Sequence, residues 1–182
     1  MIAVSLTSFV VTPWRFFIDP ARSSHSQQIA AFLFFISVFA FSALWHGLHV
    51  LKLKTRQGPM VKLSTMGPPL ILIAIAGGTS LFGLSSGSPL LTWFPLIAVR
   101  SAWKQIDYWK RQPENRRHWW YAHMVGMFTA CIATLTAFFV TAVPRLVPSV
   151  ATDSIFLWIT PAAVMVPILR AWMHYYRRKF GD

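Results

Sequence analysis

The stretch HWWYAHMVGMFTACIATLTAFFVTAV runs from His118 to Val143 without one Asp, Glu, Lys or Arg. A helix needs roughly 20 predominantly apolar residues to cross the hydrocarbon of a bilayer, and this run is long enough. It opens on Trp119, Trp120 and Tyr121, directly after Arg116 and Arg117. That order is expected where a helix enters lipid from a positively charged interface. Working outward, four more windows have the same character, some with polar ends: Gln28 to Leu51, Lys62 to Leu84, Pro89 to Trp109 and Ser154 to Tyr176. The expected fold is all-α, a polytopic transmembrane helix bundle of about five spans over residues 28–182. Residues 1–27 form an N-terminal interfacial segment ahead of it. Within that segment residues 1–18 are apolar but interrupted by Pro13 and Arg15, with no basic region before them and no small-residue cleavage site. They read as lying at the interface rather than as a signal peptide.

Turn residues separate the windows. Gln57-Gly58-Pro59, Ser85-Ser86-Gly87-Ser88-Pro89 and Gln112-Pro113-Glu114-Asn115 break the first three connections, and Pro144 and Pro148 bracket the fourth. Pro68 and Pro69 fall inside the second window, where they kink the helix or start its regular part. Gly77-Gly78, with Ala74 and Gly83, reads as a narrow face for close helix packing.

Composition agrees with lipid as the solvent. The chain of 182 residues is 55% hydrophobic and 12% charged, whereas a soluble domain carries about 25% charged residues. Its mean hydropathy is +0.50. The net charge of +12 would suit nucleic acid on a soluble basic face. Here the basic residues sit between apolar runs, which excludes nucleic acid and points to juxtamembrane charge against anionic lipid headgroups. Cys131 is the only cysteine, so an internal disulfide and a cysteine-based zinc site are both excluded.

Charge also orients the bundle. Lys52, Lys54, Arg56 and Lys62 belong to the first connection. Arg100, Lys104, Lys110, Arg111, Arg116 and Arg117 belong to the third, and Arg170, Arg177, Arg178 and Lys179 to the C-terminal end. Of 17 Lys and Arg residues only Arg15, Arg22 and Arg145 fall elsewhere. With five spans the basic regions share one side, which the positive-inside rule makes cytoplasmic, leaving the N-terminus outside.

Five of the six histidines gather at that same side: His46 and His49 near the end of the first window, His118 and His123 at the start of the fourth, His174 near the end of the fifth. Imidazoles from two helices can ligate a metal ion or a b-type haem. The candidate ligands are His46, His49, His123 and Met127, for one haem at most, because no second histidine pair lies deep on the far side. The plainer role is interfacial, an apolar ring in the headgroup zone with a polar edge in water. His123, Met127, Ala130, Thr134, Ala137 and Thr141 follow one another at steps of four and three. They form a small or polar stripe expected to be a packing seam. Asp107 stands among Lys104, Lys110 and Arg111 at helical neighbour spacing. It suits a local ion pair there, or a proton relay with His123.

The run Asp107-Tyr108-Trp109-Lys110-Arg111, then His123-Met124-Val125-Gly126-Met127, then Ile132-Ala133-Thr134 and Ala137-Phe138 resembles the C-terminal half of a broad set of uncharacterised bacterial multi-pass membrane proteins. The resemblance spans about residues 28–145 and is specific around the fourth window. Those relatives often carry an extra N-terminal pair of spans with a Lys-Gly…His-Arg…Gly-Arg connection, which this sequence does not contain. The resemblance implies a bacterial cytoplasmic (inner) membrane protein and draws attention to Asp107, His123 and Met127. It implies no activity.

There is no phosphate-binding glycine loop, metalloprotease helix motif or nucleophile elbow. The expectation is therefore an integral inner-membrane protein that is not an enzyme, an accessory protein or subunit with a membrane-protein partner. A haem- or metal-binding redox protein using the cytoplasmic histidines is the alternative. A small transporter comes third, since no acid or base falls at a predicted bilayer centre.

Overall fold

Helices make up nearly all of what the computed structural model describes, which is residues 23–113, 115–147 and 155–181. The interfacial segment expected over residues 1–27 lies almost wholly outside them. The order is α1 (Ser24–Lys52), α2 (Leu63–Ser85), α3 (Pro89–Trp93), α4 (Pro95–Lys110), α5 (His118–Leu146) and α6 (Ile155–Phe180). The Ser23 hydroxyl accepts from the Ser26 amide at 3.1 Å and caps α1, satisfying one of the amides a helix start leaves over. Among the described residues, α1, α2, α5 and α6 are long and apolar enough to cross a membrane. The protein is an all-α, multi-pass membrane protein.

The third window is helical throughout but not as one uninterrupted helix. Pro95 has no amide to donate to Leu91, and the ladder breaks at Phe94, which keeps right-handed helical angles between α3 and α4. This run is absent from the long apolar set because the break leaves helices of 5 and 16 residues, and Arg100, Lys104, Gln105 and Asp107 also occupy its second half. Arg100 and Lys104 therefore belong to α4 itself and not to the third connection, and at 1.5 Å per residue Arg100 stands about 15 Å before Lys110. The run nevertheless travels the length of the bundle. Its start lies beside the N-terminal part of α1, with Gln28 Nε2 3.5 Å from the Ser86 carbonyl. Its end lies at the opposite pole, where the Met60 amide donates to the Trp109 carbonyl at 2.8 Å. At that pole Arg117, before α5, also donates to the Phe180 carbonyl at the end of α6. The described chain thus traverses five times, and the ends rich in Lys and Arg share one pole.

The central helix is α1. It buries Phe32, Phe35, Phe39, Ala43, His46 and Val50, packing on α2 and α5 with a smaller contact to α4. Helix α4 lies chiefly on α2, and α6 lies on α5. Leu70, Ile71, Leu81 and Leu84 on α2 and Ile159, Val164 and Ile168 on α6 face outward, as lipid-facing side chains do. An aromatic knot closes the pole away from the basic residues, where Phe32 meets Trp158 edge-on at 4.1 Å and Phe94 at 5.5 Å.

Three local expectations are refined. Helix α2 starts at Leu63 and carries Pro68 and Pro69 inside it, so the prolines do not start its regular part. Pro68 cannot donate to the Ser64 carbonyl, and Trp45 Nε1 of α1 donates to that oxygen at 2.9 Å instead. Gly77 and Gly78 face open space, and the close approach on this helix is at Gly83, against the backbone of Leu91 and Thr92. On α5 the buried line continues as Gly126, Ala130, Ala133, Thr136 and Val140. It shares Ala130 with the expected stripe, whose His123 and Met127 also pack on α1, while the stripe's Thr134 and Thr141 hydroxyls donate to their own helix at Ala130 and Ala137.

Candidate functional site

Helix α5 meets α1 where both lack side chains. Gly126 sits against Ala43 and Gly47 of α1, and Gly47 sits against His123 and Met127. Small residues let two helix backbones approach in this way. That contact decides what His123 does. Its Nδ1 lies 2.9 Å from the Gly47 carbonyl oxygen, and because a carbonyl only accepts, Nδ1 carries the proton and donates. Met127 places its sulfur beside Gly47 one turn further on.

His46 is one residue away on α1 but engages a different neighbour. It is buried, and its Nδ1 accepts from Trp109 Nε1 of α4 at 3.1 Å. An indole N–H only donates, so this ring is the neutral tautomer with its proton on Nε2. Tyr108 stands edge-on to the same ring at 5.2 Å, and its hydroxyl shares a 2.7 Å hydrogen bond with His118 Nδ1 of α5. His49 lies at the periphery, stacked on Trp45 at 5.0 Å. The candidate ligands are thus split. His123 and Met127 meet at Gly47, His46 faces Trp109, and His49 stacks on its own helix. Among the described residues no three His, Cys, Asp or Glu side chains converge as a metal site. Asp107 accepts from Arg111 Nε at 2.7 Å, the local ion pair expected from its spacing.

The centre of the basic pole is a residue that charge counting treats as one loop cation among many. Arg56 is only 9% exposed. Its Nη1 donates to the Gly58 and Arg111 carbonyls, each at 3.0 Å, and its Nη2 to the Tyr108 carbonyl at 2.7 Å. The guanidinium also lies 4.5 Å from the Tyr108 ring centroid, within cation–π range. It is held by carbonyl dipoles and an aromatic face with no carboxylate among the described residues, and its Nε is buried without a partner. The only advance signal was the Gln57-Gly58-Pro59 turn beside it, which brings a free carbonyl within reach.

Arg56 also separates two hollows. One, among the loops of the basic pole, has Lys54, Gln57, Arg116 and Trp119 on its wall. The other enters the bundle between α4 and the α5–α6 pair, with Ala43 and His46 of α1 behind it, and has a volume of about 340 Å³. It exists because α4 leans on α2, so its polar face, from Ser101 through Lys104 and Gln105 to Tyr108 and Arg111, looks across at α5 rather than packing against it. Polar side chains inside a membrane protein usually line such a water-reachable space.

No known protein family, characterised protein or solved structure matches this chain.

Proposed function

We propose that this chain is a non-enzymatic accessory protein of a bacterial cytoplasmic membrane, a helper or subunit of a larger membrane complex, with its basic pole in the cytoplasm. One observation carries the proposal. Three of the five histidines at that pole hold one helix to another: His123 to Gly47, His46 to Trp109, and His118 to Tyr108. Asp107 is committed to Arg111. Outward from this tied core the protein presents aromatic side chains, Trp172 and Tyr175 on α6 and Trp103 on α4. Such residues suit an interface with another membrane protein or with headgroups.

Native electrophoresis of membranes extracted in a mild detergent tests this. The expected result is a discrete complex well above the 20.7 kDa of the chain, dispersed by Trp172→Ala combined with Tyr175→Ala. Migration at the mass of the single chain under every mild detergent overturns it.

A further inference from the structure

We infer that the hollow between α4, α5 and α6 is a binding site for one anionic amphiphile, a membrane lipid whose acidic head lies at the basic rim and whose chain enters the bundle. Among the described residues four cations line the hollow, Arg56, Lys104, Arg111 and Arg177, with a single acid, Asp107, which Arg111 occupies. Lys104 and Arg177 have no carboxylate partner among the described residues. Arg177 instead lies over the Tyr121 ring at 5.3 Å.

The polarity changes with depth on one side. Arg56, Arg111, Asn115, His118 and Arg177 stand at the rim, whereas deeper in Ala43, Val125, Gly126 and Thr129 form the α1–α5 wall, facing Ser101, Lys104 and Gln105 of α4. Thr129 lies eleven residues into α5, so the hollow reaches about 16 Å into the bundle at the helical rise. That is the depth of acyl chains, not of headgroups. A soluble anion would use the cations and leave the Ala43, Val125 and Gly126 side wet. An uncharged lipid would leave the rim unanswered. An acidic lipid meets both.

A second observation points to a ligand at the same place. Three buried side-chain atoms lack a hydrogen-bond partner among the described residues, and two of them, Arg56 Nε and Asn115 Oδ1, belong to the rim. Buried polar atoms are normally satisfied. A head that pairs a phosphate acceptor with hydroxyl donors, as in a glycerol-type phospholipid, supplies both kinds of partner. The volume is at the small end of the range for ligand pockets, about 300–1,000 Å³, which suits the head and the first part of one chain.

The inference rests on the membrane placement proposed above but not on which leaflet holds the basic pole, so a reversed topology moves the site to the other leaflet without removing it. Native mass spectrometry of the full chain in detergent tests it, with phosphatidylglycerol, phosphatidylcholine and glycerol 3-phosphate as probes. One phosphatidylglycerol should be retained. The double variant K104Q/R177Q should weaken retention about tenfold or more, the scale of a lost hydrogen-bonded charge contact. The pair R178Q/K179Q, an equal loss of charge outside the hollow, should keep it. Val125→Phe, which narrows the hollow and leaves every charge, should also lose the lipid, so the result does not hang on the charge variant folding. Equal loss in both charge pairs, retention of phosphatidylcholine to the same extent, or displacement of the lipid by glycerol 3-phosphate would each overturn the inference.

Discussion

Gly126 of α5 rests on Gly47 of α1 so closely that a methyl group on Gly126 would stand 2.9 Å from the Gly47 Cα and 2.8 Å from the Ala43 carbonyl oxygen. Both obstacles are backbone, which cannot swing aside as a side chain can. Gly126→Ala should therefore destabilise the bundle by about 1–3 kcal/mol, the usual cost of overpacking, although alanine is the better helix former. Gly77→Ala on α2 meets open space and should stabilise by up to about 1 kcal/mol through helix propensity alone. Thermal unfolding of the two variants in one detergent compares them directly. Shifts of the same sign and size would remove the close-approach account.

Those two glycines show how far sequence could be followed. The Gly77-Gly78 pair is the more conspicuous pattern in an apolar run, and it meets nothing. Gly126 and Gly47 are isolated, and each matters because the other faces it across two helices, a relation no single window contains. The five traverses were legible because each is bounded by turn residues and because lipid requires every span to satisfy its own backbone. The lean of α4 onto α2 was not. It opens the hollow on the α5 side and depends on which face of a mixed helix finds a partner.

Arg56 should be the most sensitive cation in the protein. Its guanidinium satisfies three carbonyls from two connecting segments and a helix end, and hydrogen bonds to a charged group are worth about 1.5–3 kcal/mol each at most. We expect Arg56→Gln to lower stability by about 3 kcal/mol and Arg56→Lys to recover little of it. An ammonium cannot reproduce the planar fork or its stacking on Tyr108. Melting temperature and the rate of tryptic cleavage at Lys54 and Lys62 report the loss. An Arg56→Lys variant as stable as the parent would show that charge alone suffices. Apart from the turn that brings the Gly58 carbonyl, nothing local in the sequence sets Arg56 apart from Lys54, because its other partners are main-chain oxygens brought from residues 108 and 111.

The contact between α1 and α5 at Gly47 also bears on the redox alternative. A haem between His123 and a histidine of α1 would need those two helices apart, and here the backbones touch. Purified from cells supplied with haem, the protein should show no reduced-minus-oxidised b-type signal. His123→Ala should cost about 0.6 kcal/mol for the lost interhelical hydrogen bond, with a few tenths more from packing. A haem spectrum that disappears in His123→Ala would instead make this ring a ligand and replace the accessory proposal.

Topology gives the sharpest test of the five-traverse reading, because it turns on the one run that is not long and apolar. Helices α3 and α4 together connect the aromatic pole at Phe94 to the basic pole at Trp109, yet the second half of the run carries Arg100 and Lys104. If the run crosses, residues 56 and 117 lie on one side of the membrane and residue 86 on the other. Reporter fusions after Arg56 and Arg117 should then be cytoplasmic, and one after Ser86 should not. The positive-inside rule sets the sign, while the alternation itself depends only on the number of crossings. Were α4 to lie along the interface with its cations in water, Ser86 and Arg117 would report the same side. The hollow would then face the membrane surface rather than the acyl chains.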